Sequence, residues 1–151
     1  PHSLILSRQN IPYVERTKEQ INLIQKGGYL LYYEENADNT HVASGSEVQL
    51  ILAAAKSIQN DGFKVNIVSI PCLDKFYLQD QAYRDSVVDP DIPKLVVEAL
   101  HPDSWQGLVN LNDTIIGMKT FGESAPASEL MKKFGFTEEN IVTEAKKLLK
   151  K

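Results

Sequence analysis

Apolar positions along the chain alternate between two spacings. Short β-prone runs occur at Tyr29–Glu34, His41–Ser44, Lys64–Ile70, Lys94–Ala99 and Thr114–Met118, rich in the branched and aromatic side chains that suit a pleated surface. Between the second and third run, Val48, Ile51, Leu52, Ala55 and Ile58 recur at the spacing of one helix face. Ser46 reads as the cap of that helix, with Gln49 three residues on completing a capping box, and Gly62 closes it. The stretch 41–70 is therefore a βαβ unit, whose two strands are parallel and joined by a right-handed crossover. The turn-rich Asn36–Asn39 returns the chain directly from the first run to the second, which predicts one antiparallel strand on an otherwise parallel sheet.

Further helices follow from punctuation. One or two short ones fit between Asp74 and Val88, anchored by Phe76, Tyr77, Leu78 and Tyr83 and ended by Pro90 and Pro93. Trp105 and Leu108 suggest a short amphipathic helix. Pro126 suits the first turn of a helix that buries Leu130, Met131 and Phe134 and stops at Gly135. Thr137 caps the last helix, with Glu138 and Glu139 at its positive end, four lysines towards its negative end, and a stripe of Ile141, Val142, Ala145, Leu148 and Leu149. Upstream, Ser3–Leu6 is a strand candidate that precedes Ser7-Arg8-Gln9-Asn10, while Tyr13–Lys26 turns polar and charged and reads as a linker up to Gly27-Gly28.

Composition narrows the class. The 151 residues are 42% hydrophobic and 24% charged, with a net charge of −4 and interspersed signs. That is a globular domain's balance, without the basic footprint of a nucleic-acid binder and without an apolar run approaching the roughly 20 residues of a membrane span. Cys72 is the one cysteine, so no internal disulfide forms and a reducing, cytoplasmic setting is expected. Beginning Pro1-His2-Ser3, the chain reads as the C-terminal piece of something longer.

Candidate chemistry is sparse. No G-x-G-x-x-G follows a strand, no P-loop and no G-x-S-x-G elbow is present. The Ser44-Gly45-Ser46 turn points amides at a helix start, where a phosphate can sit, although a simply capped helix start is the favoured reading. Cys72 and His101 leave strands at comparable levels, which allows a Cys-His pair, but a lone cysteine is more often a small buried hydrophobe. His2, His41 and His101 have no metal-ligand spacing. Asp74, Asp80, Asp85, Asp89 and Asp91 share one loop-rich region and read as a solvated surface. Arg8, at a strand's carboxyl end, carries a fork suited to phosphate, or is an exposed surface arginine.

Laid out in order, these segments resemble the C-terminal part of the transketolases. Leu6-Ser7-Arg8-Gln9-Asn10-Ile11-Pro12 is similar to L-S-R-Q-x-x-P near the end of that family's middle domain. Gly27-Gly28-Tyr29, Ala43-Ser44-Gly45-Ser46-Glu47-Val48, Tyr83-Arg84-Asp85-Ser86-Val87, Phe121-Gly122-Glu123-Ser124-Ala125-Pro126 and Phe134-Gly135-Phe136-Thr137 with Asn140-Ile141-Val142 resemble G-G-Y, A-[ST]-G-S-E-V, Y-[RK]-x-S-V, F-G-x-S-A-P and F-G-[FL]-T with N-I-V. The resemblance implies residues 1–12 as the tail of a pyrimidine-binding domain, 13–27 as linker and 28–151 as the third domain. It also implies a three-layer α/β/α fold around a five-stranded mixed sheet, order 1-3-2-4-5, with strand 1 antiparallel. Members transfer a two-carbon ketol unit from a ketose phosphate to an aldose phosphate in the pentose phosphate pathway. They use thiamine diphosphate and a divalent metal, magnesium or calcium, and act as homodimers. Of their contacts to phosphorylated sugars, only the L-S-R-Q arginine maps here, onto Arg8. The cofactor motifs are absent from these residues, so the piece alone is expected to be inactive. A different class, a stand-alone α/β module that binds an anion or a protein at the 44–46 turn, is the rival reading.

Overall fold

The β-branched and aromatic runs become strands wherever both of their faces can be covered. The computed structural model describes residues 10–149. Its strands are β1 (Tyr29–Tyr32), β2 (Asn39–Ala43), β3 (Val65–Ser69), β4 (Lys94–Val97) and β5 (Thr114–Ile116), in the order β1-β3-β2-β4-β5. β1 runs antiparallel to β3, and the β2–β3, β2–β4 and β4–β5 pairs are parallel. The antiparallel sense agrees with the sequence expectation, but the partner is not the strand reached by the short loop: β3 lies between β1 and β2. Six loop residues, 33–38, easily cross the two inter-strand spacings of about 5 Å each that this requires.

Alternation along the inner strands divides the core in two. Ala43, Ile67, Leu95 and Val97 face one cluster with α2 (Val48–Asn60) and α6 (Glu138–Leu148), into which Ile51, Ala55, Ile58, Ile141 and Ala145 are buried. Val42, Val68 and Val96 face the other, closed by Phe76 of α3 (Leu73–Tyr77), Val87 of α4 (Gln81–Val87) and Trp105 of a 3-10 turn (Pro102–Trp105). Helices thus cover both faces, giving the α/β/α layering. The last helical pair behaves as its punctuation predicts. α5 (Ala127–Lys133) follows Pro126, Gly135 takes a φ of 80° after it, and Thr137 Oγ1 accepts from Asn140 N to start α6.

Two local expectations are corrected, and the segment ahead of the sheet carries a helix. Ser46 and Gln49 do not form a capping box. A 3-10 turn over Gly45–Glu47 precedes α2 and the extended residue is Ser44, while Ser46 Oγ turns to the Glu47 carboxyl. Hydrogen bonds to carboxyls outcompete a neutral cap for these hydroxyls. Leu78 is not an anchor but is 84% exposed, because α3 stops at Tyr77 and the next residue turns outward. The polar segment 13–27 contains α1 (Lys18–Leu23), started by a capping box of Thr17 and Gln20. Gln20 Nε2 also donates to the Leu30 and Leu31 carbonyls at 3.0 and 2.9 Å. That amide occupies acceptors on the outer edge of β1, which would otherwise be open to another chain.

Gly27 joins this segment to the sheet with a φ of 91°. A β-carbon there would lie 2.4 Å from both the Cys72 carbonyl oxygen and the Phe76 amide nitrogen. Only glycine permits that close approach.

Candidate functional site

Open α/β sheets bind ligands where successive connections diverge to opposite faces. Here that point lies between β2 and β4. The chain leaves β2 towards α2 on one face and leaves β4 towards the Trp105 turn on the other. The crevice is therefore bordered by Ser44–Glu47 and by Glu98–His101.

Two carboxyls occupy it. Glu47 is 4% exposed and Glu98 6% exposed. Ser44 Oγ donates to Glu98 Oε2 at 2.5 Å, and Ser46 Oγ donates to Glu47 Oε1 at 3.0 Å. Burial pushes both carboxyls above their ordinary value. For Glu47 the negative charge of Glu98 adds to the effect. For Glu98 the Ser44 hydroxyl and the backbone at Ser44 and Ala99 work against it. At Glu47 the Ser46 hydroxyl and its own backbone likewise work against the upward shift. A phosphate approaching this turn meets buried acidic groups instead of free donors, and the Ser44 hydroxyl is already committed to one of them. The geometry does not favour an anion at the 44–46 turn.

The remaining candidates are not brought together. Cys72 is half-buried, its amide donating to the Gly27 carbonyl and its carbonyl accepting from Phe76 N, which makes it a joint between β3 and α3. His101 is exposed and turns to Asp103, its Nδ1 3.4 Å from that residue's amide nitrogen and from Oδ2. Among the described residues no hydrogen bond links the two. The acidic surface resolves into local turns: Asp80 accepts from Tyr83 N at the start of α4, Asp85 from Gln81, and Asp89 from Asp91 N. No group of three or more His, Cys, Asp or Glu side chains able to hold a metal occurs among the described residues. Arg8 lies outside the described residues.

Among the buried polar side chains that the sequence reading did not place in the interior are His41 and Lys94. His41, fully enclosed in β2, has its pKa pushed down to about 4 by burial, only partly opposed by the Ile51 backbone; neither ring nitrogen has a hydrogen-bond partner of normal geometry. Lys94 opens β4 and is 2% exposed; its Nζ donates to the carbonyls of Asp89, Pro90 and Ile92 and sits 3.4 Å from Asp113 Oδ2. It organises a loop. Part of the signal for the Glu47–Glu98 pair was available: Glu47 follows the run read as β2 and Glu98 lies near the end of the run read as β4, strands that the sheet order sets side by side.

Thiamine diphosphate with a divalent metal does not fit these residues. The crevice offers two buried carboxyls and no cationic cluster for a diphosphate.

Fold and site together define an α/β domain with a parallel inner sheet, whose switch-point crevice is lined by carboxyls in place of a phosphate-binding loop. Comparison with known proteins makes the class specific. Residues 27–137 match the model of the transketolase-like C-terminal domain. The chain is 46% identical to transketolase 1 of Escherichia coli over 151 residues, covering 99% of this chain and 23% of that protein, and 46% identical to the transketolase of Buchnera aphidicola with the same coverage. Among solved structures, it superposes on Pichia stipitis transketolase in complex with sedoheptulose-7-phosphate with a TM-score of 0.85 at 35% identity, over 95% of this chain and 20% of that one. On Leishmania mexicana transketolase the TM-score is 0.80 at 36% identity, over 86% and 19%. The chain belongs to the transketolase C-terminal domain family. It spans about a quarter of the length of the curated relatives it matches.

Proposed function

We propose that this chain serves as the C-terminal domain of a transketolase, and that its parent moves a two-carbon ketol unit between sugar phosphates in the pentose phosphate pathway. One observation carries the reading: nearly the whole chain aligns with transketolases while accounting for only 23% of their length. In this reading thiamine diphosphate and a magnesium or calcium ion are held by upstream domains, the parent is a cytoplasmic homodimer, residues 1–12 end its pyrimidine-binding domain and residues 13–27 link that domain to the one beginning at 28. No helix of the described residues is long and apolar enough to cross a membrane.

Within this chain the substrate contact falls to Arg8, whose guanidinium grips a sugar phosphate with two parallel N–H donors. The test is Arg8→Ala in the full gene product. KM for phosphorylated donors and acceptors should rise by roughly ten- to a hundredfold, the loss of about 1.5–3 kcal/mol from a charge-assisted contact, while a non-phosphorylated ketol donor is turned over with unchanged kcat/KM. Equal losses on both substrates would refute the assignment.

A further inference from the structure

Each family-like segment of the third domain but one has an internal explanation. Gly27 makes the close approach to Cys72. Ser44 and Glu47 build the crevice. Tyr83 donates its hydroxyl to the Gly28 carbonyl at 2.8 Å and packs edge-on to Phe76. Asn140 Nδ2 donates to the Gly135 carbonyl and Phe136 is buried. In Phe121–Pro126, the proline carbonyl starts α5 and Glu123 meets Lys133, but Phe121 touches almost nothing: it is 96% exposed.

Single exposed apolar residues are ordinary. Leu111 is one, fully exposed ahead of β5. Phe121 differs because it has company. Leu100 is 55% exposed, and its carbonyl accepts from Met118 N at 2.9 Å. The loops leaving β4 and β5 thereby lie side by side and, with Ala99, line one apolar hollow. This hollow is at the carboxyl end of the parallel strands. β1 begins at that same end, with Tyr29 opposite Ser69 and the Gly27 carbonyl accepting from Cys72 N, so the polypeptide enters the sheet there.

We infer that Leu100, Met118 and Phe121 form the surface against which the upstream domains of the same polypeptide dock, with Phe121 as the anchor inserted into them. The relatives are about four times as long as this chain, so under the transketolase reading an upstream body is at hand to cover the hollow, and the segment ahead of Gly27 tethers it near this end. Aromatic side chains are the usual anchors of such contacts, since they bring large apolar area with few rotatable bonds. The inference rests on the transketolase reading for the existence of that upstream body, and its test is independent of catalysis.

The experiment places a benzophenone-bearing phenylalanine at position 121 of the full gene product, irradiates it and maps the adducts by mass spectrometry. Links to peptides upstream of Pro1 that migrate at the mass of one chain are expected. Links that double the chain mass would overturn the inference in favour of a contact between copies, and a label quenched by solvent would overturn it in favour of a free surface. Phe121→Ser in the same protein should speed amide exchange across 119–124 by about tenfold or more, as expected when a docked loop is released; unchanged exchange counts against docking. A full-length protein that fails to bind thiamine diphosphate, yet shows the single-chain links, would sink the functional reading and leave the docking surface standing.

Discussion

Lys94→Met removes one charge from a pair that is closed to solvent. The Lys94 and Asp113 side chains are 2% and 3% exposed, with Nζ and Oδ2 3.4 Å apart, and three loop carbonyls lose their shared donor with the ammonium. Stranding one partner of a buried pair costs about 3–5 kcal/mol. The lower end applies here, because Asp113 keeps two backbone donors, Lys94 N to Oδ1 at 2.9 Å and Asn110 N to Oδ2 at 2.7 Å. A loss of about 3 kcal/mol lowers Tm by roughly 6–12 °C for a domain of this size. The informative control is Lys146→Met. Its partner Asp61 lies closer, at 2.7 Å, but the two side chains are 42% and 44% exposed, so screening and side-chain entropy hold that pair below about 1 kcal/mol. Denaturant unfolding of the two variants at neutral pH separates burial from distance as the determinant. Lys94→Met with Asp113→Asn should recover at least about 1 kcal/mol of the single-variant loss through coupling of the pair. Equal costs for Lys94→Met and Lys146→Met would refute the reasoning.

Three further outcomes follow from the same structure. Gly27→Ala should cost at least about 2 kcal/mol in urea titration, since it combines a positive φ with a β-carbon set against two backbone atoms; a near-neutral result would mean the 27–28 joint yields easily. Glu98 has its pKa raised from 4.5, so the folded state retains its proton where the unfolded chain has lost it, and the stability linked to this group is complete below 4.5 and declines as pH rises through the folded value; Glu98→Gln should therefore gain stability relative to the parent chain between pH 5 and pH 7 by about 0.5 kcal/mol or more, and a gain that shrinks with pH would contradict the buried-carboxyl account. His41 works in the opposite direction: its pKa falls from 6.5 to about 4, so its contribution is present above 6.5 and is lost as acid drives protonation, and His41→Leu should remove up to about 3 kcal/mol of acid sensitivity between pH 6.5 and 4, as followed by urea unfolding at a series of pH values.

How far the residues alone disclose this molecule depends on the kind of signal. Repetitive patterns carried: the spacing of Val48, Ile51, Ala55 and Ile58 placed α2, and the run Lys94–Ala99 placed β4 within two residues of its observed end. Where two polar preferences competed locally, the pattern was insufficient. Ser46 has the right chemistry for a cap, but the choice between amide and carboxyl as its partner depends on Glu47 turning inward beside Glu98, a contact across 51 residues of chain. Lys94 and His41 were hidden for the same reason, because burial of a polar side chain is set by what the rest of the fold stacks upon it. Gln20 shows that a polar stretch read as a linker can carry a helix whose side chain caps strand carbonyls, which periodicity does not disclose. Of the candidate site, the carboxyl-end positions were legible and their acidity was not weighed; the Cys72–His101 idea failed because β2 lies between the strands these residues leave, and His101 turns outward to Asp103.

The most direct measurement is calorimetric titration of thiamine diphosphate with magnesium into the 151-residue chain and, in parallel, into the full gene product, each followed by an assay of ketol transfer between sugar phosphates. No binding heat and no turnover are expected from the chain alone, with both recovered in the full product. Tight cofactor binding or sugar-phosphate turnover by the 151 residues unaided would contradict the assignment of this domain as the part that folds beside the chemistry without holding it.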